Sequence, residues 1–416
     1  MGARHTPAIL IGRLVRVAAR LRKPGGGSAF PGLVVNRIAP GFLAEAIGSL
    51  PGGLVIVTGS SGKSTTTKML TAVVTAHGRK VFTNPSTANI EQGLTSAVLE
   101  RASLTGRLSE DIAILEMDEA HGARIAPRLS PRVVVLMNVM TDQIDRFWNS
   151  EQVLAYLEAI ARRSTQTVVI NADDEMLGEL AGRLDPAVAV ERFGVTAQVL
   201  AAQPRGLGYA RTAPTRLDDG VVVEAVEGTS AQIRLDGEVA EITLPARGAH
   251  YAVDAAGALS AARVILGPDF DAGLAARTIS QLEPVFGRGE VRTVRGQEVE
   301  FVLVQNPASY QLNIDALDAG LDQVLVAMGS DVRDPGYFWP VDLRRLQRVH
   351  TVSGSKAHEQ ALHLTYQGIP IDRIEPDIPV AIDAFLALPA PASGRKTIIF
   401  TADAMRRTRA HLGLTS

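Results

Sequence analysis

The residues Thr58-Gly59-Ser60-Ser61-Gly62-Lys63-Ser64-Thr65 place two glycines, several hydroxyls and one lysine directly after the aliphatic run Leu54-Val55-Ile56-Val57. Small residues let the backbone curl so that successive N–H groups point at one spot, and a helix beginning at the lysine adds its dipole there. Such a turn binds phosphate. Gly59, Ser60, Ser61, Gly62, Lys63, Ser64 and Thr65 are the candidate cradle, with Lys63 set to neutralise β- and γ-phosphates and Ser64 to help hold Mg²⁺. The longer phosphate-loop pattern would need Gly where Val57 stands, so this is a shorter form. Further polar groups close other aliphatic runs: Glu116 after Ile112-Ala113-Ile114-Leu115, Asn138 after Val133 to Met137, and Asn171-Ala172-Asp173-Asp174 after Thr167 to Ile170. Taken alone, Glu116 reads equally as a metal ligand or a solvated strand-end acid, and the Asn-Ala-Asp-Asp run as a ligand contact or a turn.

These groups need a scaffold that gathers strand ends. From Leu54 onward short β-branched runs alternate with helical patterns, which predicts a parallel sheet with helices on both faces and ligands at the strand C-termini. Between about 194 and 244 the pattern changes to extended runs punctuated by Gly and Asp, read as antiparallel β-structure attached to that sheet. An Ala-rich helix follows near Tyr251 to Leu266. After Gly287-Arg288 a second α/β series begins. The predicted organisation is an N-terminal helical segment over 1–50, a central ATP-binding domain over 51–290 and a Rossmann-like α/β domain over 291–416.

Composition narrows the chemistry. The 416 residues hold 42 Lys and Arg against 44 Asp and Glu, a net charge of −2 that gives no reason to expect nucleic acid. With no cysteine, the chain supplies no disulfide, thiolate zinc site or cysteine nucleophile. No apolar run reaches the roughly 18 residues of a spanning helix, so a cytoplasmic location is expected. The opening segment Ile9 to Lys23 mixes apolar residues with Arg13, Arg16, Arg20 and Arg22, and has two readings. It is a helix packed on the body, or an interfacial helix at the inner face of the membrane.

In order along the chain, the short Gly-Ser-Ser-Gly-Lys-Ser-Thr loop, Asn84 to Gly93, Leu115-Glu116, Asn138 with Asp142-Gln143-Ile144-Asp145-Arg146-Phe147, the Asn171 to Asp174 run and Gly287-Arg288 resemble the motifs of the Mur ligase superfamily. That resemblance implies ATP and Mg²⁺ as cofactors, Glu116 as a Mg²⁺ ligand, Asn138, Asn171 and Asp173 at the nucleotide site, and Arg288 on its phosphates. The chemistry agrees with the residues, because transfer of a γ-phosphoryl group to a carboxylate needs a lysine, a metal and further cations. Within the superfamily the chain resembles the MurT-type ligases, which lack an N-terminal UDP-binding domain; only about 50 residues precede the loop here. This implies ATP-dependent amidation of the D-glutamate α-carboxylate of lipid II, with ammonia from a GatD-like glutaminase subunit whose Cys and His are completed by Asp334. Three departures stand out. The four-cysteine zinc ribbon is missing between about 195 and 219, so no zinc is expected; the segment before Asp334 is shortened; and Tyr251 occupies the place of an adenine-contacting asparagine, beside a His250 that either touches substrate or packs. A related enzyme acting on a different carboxylate is therefore the alternative.

Overall fold

A computed structural model of the chain describes residues 3–22, 29–85, 88–140, 149–203, 205–213, 217, 220–285, 287–318 and 320–414. Its first sheet has nine strands: β1 (Leu54–Thr58), β2 (Val81–Phe82), β3 (Ile112–Glu116), β4 (Val133–Leu136), β5 (Thr167–Asn171), β6 (Ala189–Val195), β7 (Val221–Glu227), β8 (Ser230–Leu235) and β9 (Glu238–Thr243). Their order is β2-β3-β1-β4-β5-β6-β7-β8-β9, parallel as far as β7 and antiparallel across β7, β8 and β9. The mixed α/β architecture expected from the alternating pattern is present, including the antiparallel attachment.

β1 is central and buried on both faces, which is why it reads as unbroken aliphatic residues. Successive side chains part to opposite sides. Val55 and Val57 join a core with the Lys63–Ala76, Ala249–Leu266 and Ala272–Ser280 helices, while Leu54 and Ile56 join another with the Glu91–Arg101 and Ser150–Ala161 helices. The long Ala249–Leu266 helix is buried along almost its whole length, and its alanines permit close approach to Lys63–Ala76. The N-terminal helices Thr6–Arg22, Phe30–Ile38 and Phe42–Gly48 cover the Glu91–Arg101 helix, with Gly32 N–H donating to Ser96 Oγ at 2.8 Å.

The second sheet contains β10 (Arg288–Val294), β11 (Gln297–Leu303), β12 (Val324–Ala327), β13 (Val349–Ser353), β14 (Ile371–Glu375) and β15 (Lys396–Phe400), in the order β10-β11-β15-β12-β13-β14. Only the β10–β11 hairpin is antiparallel. This sheet opens at Arg288, a few residues before the division read at 291. Helices Pro307–Ala316, Ala357–Tyr366, Ile378–Leu386 and Ala402–Leu412 cover it. Lys396 is fully buried there and donates from Nζ to the carbonyls of Phe385, Leu386 and Leu388, closing the C-terminus of the Ile378–Leu386 helix.

Candidate active site

The phosphate loop leaves β1 and enters the Lys63–Ala76 helix at the strand's C-terminal end, where a parallel sheet collects ligands. Its shape is held from the next strand: Ser60 N–H donates to Asn138 O at 3.0 Å and Ser61 N–H to Asn138 Oδ1 at 2.9 Å, while Met140 N–H donates to Ser60 Oγ at 3.1 Å. Asn138 is thus a brace behind the loop. Gly62 caps the helix with φ of 82°, and a Cβ there would lie 2.1 Å from Asp254 Oδ1 on the Ala249–Leu266 helix. Both conditions require glycine.

Lys63 Nζ donates to Glu119 Oε1 at 2.8 Å and to the carbonyls of Gly59 and Ser60. Burial lowers its pKa, but Glu119, followed by Glu116 and Asp118, outweighs this and raises it, so the ammonium stays charged. Glu116 ends β3 and is buried, with Asn89 Nδ2 donating to its carboxylate at 3.3 Å. Asn84 fixes its backbone by donating to Glu116 O at 3.1 Å and accepting from Glu116 N–H at 3.0 Å. The 84–93 segment therefore holds the carboxylate in place through two asparagines; residues 86 and 87 lie outside the described set.

Arg288 brings the second sheet to the loop: its Nη2 lies 3.3 Å from Ser64 Oγ and 3.4 Å from Gln305 Oε1. Tyr251 O–H donates to Arg288 O at 2.9 Å, tying the same strand start to the central helix. Between the two parts lies a narrow open cleft lined by Ser61, Gly62, Thr65, Asp254, Arg288 and Gln305 among others. His250 and Tyr251 also line it, with ring centroids 4.3 Å apart. Burial, and then the Arg288 charge, depress the His250 pKa to about 4, so this imidazole is neutral at physiological pH. Burial pushes the Asp254 carboxyl well above its ordinary range, against the opposing pull of Arg288 and the hydroxyls of Thr65 and Thr66.

The Asn-Ala-Asp-Asp run does structural work. Asn171 Nδ2 donates to Tyr209 O–H at 2.7 Å and its Oδ1 accepts from Asp173 N–H at 3.1 Å; Asp173 Oδ2 accepts from Val195 N–H at 2.6 Å. Asp174 accepts from Val139 N–H at 2.6 Å and caps the Glu175–Ala181 helix through Met176 and Leu177 N–H. All three are buried and join β5 to its neighbours. The Asp142 to Phe147 motif lies outside the described residues.

Asp334 belongs to a different region, the exposed turn after β12. Its Oδ1 accepts from Gly336 N–H at 2.9 Å and caps the short Pro335–Phe338 turn of helix. Nearby, half-exposed Trp339 stacks on His363 at 5.4 Å and leans on Tyr366, which is 79% exposed. Two groups of the site were not singled out from sequence. Glu119 sits three residues after Glu116 in the same acidic run, so it was within reach, whereas Asp254 carries no local pattern that marks it; Asn89 lies inside the 84–93 segment that the sequence already marks.

Residues 57–262 match the Mur ligase middle domain. The chain is 27% identical over 419 aligned positions to the Streptococcus pneumoniae lipid II isoglutaminyl synthase (glutamine-hydrolyzing) subunit MurT, covering 90% of this chain and 89% of that protein. It is also 27% identical to the UDP-N-acetylmuramate–L-alanine ligase of Thermobifida fusca, over 80% of this chain and 65% of that one. Among solved structures, the Thermotoga maritima MurF ligase in complex with ADP superposes with a TM-score of 0.65 at 20% identity, over 93% of this chain and 84% of that chain, and shares the fold. The chain belongs to the Mur ligase superfamily, with its middle domain built around the loop that Lys63 completes.

Proposed function

We propose that this protein is the ATP-dependent ligase subunit of a lipid II isoglutaminyl synthase. The observation that carries the reading is the approach of Arg288 from the second sheet to Ser64, beside Lys63, which sets two cations around one phosphate loop. The length of the similarity to the pneumococcal subunit supports the substrate. A carboxylate oxygen of the stem D-glutamate would attack the γ-phosphorus of ATP, releasing ADP and leaving an acyl phosphate. Ammonia would then add to the acyl carbon and expel phosphate, with loss of a proton, to give the amide. Lys63 and Arg288 offset charge on the transferring group, and the loop N–H groups hold the remaining phosphates. Ser64 and the buried Glu116 carboxylate are oxygen donors suited to Mg²⁺, which usually takes one or two carboxylates with phosphate oxygens and water. Bound there, it would neutralise charge between the β- and γ-phosphates.

Asp334 is assigned to complete the nucleophile–histidine pair of a GatD-like glutaminase subunit in a heterodimer. Its exposure beside the Trp339 and Tyr366 surface leaves it accessible to such a partner, and the chain has no cysteine of its own to orient. The likeness to an amino-acid-adding ligase favours one alternative, ligation or amidation of a different carboxylate. Mass spectrometry of lipid II incubated with the protein, ATP, Mg²⁺ and ammonium tests both. Conversion of one carboxylate to an amide supports the first reading. Unchanged lipid II, with ATP consumed only when another carboxylate is supplied, replaces it with the second.

A further inference from the structure

The Thr6–Arg22 helix buries Ala8, Ile9 and Gly12 on the body and turns two of its arginines the same way, leaving a second apolar face outside. Arg13 donates from Nε to Leu99 O at 3.4 Å and from Nη2 to Ala102 O, and Arg16 pairs with Glu100 at 2.9 Å, so both guanidinium groups are directed at the body. Between residues 7 and 18 every exposed position is apolar: Pro7, Leu10, Ile11, Leu14, Val17 and Ala18. Their spacing follows one helical face, and Leu14 is 70% and Val17 56% exposed. The Phe30–Ile38 helix adds exposed Phe30, Leu33 and Ile38. An apolar stripe of this kind on a small part of the surface marks an interface.

Charge selects its occupant. The first 50 residues contain seven Lys and Arg and one acid, Glu45, although the whole chain is −2. Thr6–Arg22 itself has four arginines and no acid, so pairing with a second copy of the same helix would bring like charges together. The helix is also not long and apolar enough to cross a membrane. We propose that this helix lies flat on an anionic bilayer, with Leu10, Leu14 and Val17 in the acyl boundary and the exposed Arg37 of the next helix at headgroup level. The choice of a bilayer over an acidic protein rests on the lipid-linked substrate proposed above, whereas the exposed stripe does not. The helix packs on Glu91–Arg101, which continues from the Asn84 and Asn89 segment that holds Glu116, so docking would present the reaction centre's flank to the lipid.

The test is co-sedimentation of the full chain with vesicles of phosphatidylcholine alone or mixed with phosphatidylglycerol. Binding at least about tenfold tighter to the anionic vesicles is expected, and about a tenfold loss in Leu14→Glu/Val17→Glu. Arg37→Glu, an exposed site on the next helix, should weaken binding without touching the stripe and serves if the double variant does not fold. Equal binding to both vesicle types, no binding, or a wild-type dimer that Leu14→Glu makes monomeric would overturn the proposal. Because no turnover is measured, a different acceptor carboxylate would leave this result standing.

Discussion

Lys63 Nζ lies 2.8 Å from the Glu119 carboxylate, which is 2% exposed, so the phosphate-binding cation already has a counter-ion within the chain. Glu119→Gln removes that charge while keeping the shape. The nearly buried lysine then keeps only the weaker pull of Glu116 and Asp118 and its two carbonyl acceptors, a change that destabilises by about 3 kcal/mol. Nucleotide phosphates would replace the lost charge, so ATP should raise the melting temperature of Glu119→Gln more than that of the wild type. Equal shifts would mean that Lys63 does not meet the phosphates. Lys63→Ala should abolish ATP turnover with the fold retained.

Gly62 is fixed by the carboxylate opposite. Gly62→Ala places a Cβ 2.1 Å from Asp254 Oδ1 at a φ of 82°, which combines a clash with left-handed strain. A loss of about 2 kcal/mol and of nucleotide binding is expected, from the strain of a non-glycine residue there together with overpacking. Adding Asp254→Ala relieves only the clash. Urea titration should therefore show the double variant more stable than Gly62→Ala; if it is not, Asp254 is not the obstacle.

His250 makes stability depend on pH. Its folded pKa is about 4 against an ordinary 6.5, held down by burial and by Arg288. Between those values the unfolded chain binds a proton that the folded chain does not, so stability falls as pH drops from 6.5 towards 4, by up to about 3 kcal/mol. His250→Gln should flatten this part of the profile. Parallel wild-type and variant curves from denaturant titrations at pH 7, 6, 5 and 4 would show that the acid loss arises elsewhere.

Asp334→Asn keeps an oxygen to accept from Gly336 N–H, so the turn should persist. Glutamine hydrolysis by the assembled complex should drop by at least about a hundredfold, while ATP binding is unchanged, because an amide cannot stabilise the imidazolium. Trp339→Ala, by contrast, should weaken partner binding. Unaltered hydrolysis in Asp334→Asn removes this residue from the glutaminase site.

What the sequence disclosed was what lies close together along it. The phosphate loop was legible because strand, glycines, lysine and helix are contiguous, and the antiparallel strands because Gly and Asp punctuate them. Asp254 was hidden, since its relation to Gly62 exists only once two helices pack. The β10 strand passed for a boundary because its alternating Arg and Glu resemble a linker, and β14 is polar along most of its length. Asn171 and Asp173 show a further limit: a polar side chain at a strand end serves a ligand or the backbone, and spacing alone does not say which. Here both bond to the chain itself.

The position of Arg288 depends on a buried pair on its far side. Glu290 Oε2 accepts from Gly287 N–H at 2.9 Å and from Arg409 Nη1 at 2.6 Å, both side chains of the ion pair being about 5% exposed or less. A register shift between Arg288 and Glu290 lets the strand bulge there. Glu290 thus locks the bend that aims Arg288 at Ser64, and the last helix anchors the lock. Glu290→Gln should raise the KM for ATP by about tenfold, as expected for lost orientation, and destabilise by about 3 kcal/mol because Arg409 keeps its charge. Arg409→Met leaves Glu290 bonded to Gly287 N–H and to Arg292 Nε, so it should lower stability with a smaller change in KM. If the two variants move KM equally, the effect is one of general stability. If neither moves it, the Tyr251 hydroxyl on Arg288 O is enough to hold the arginine in place.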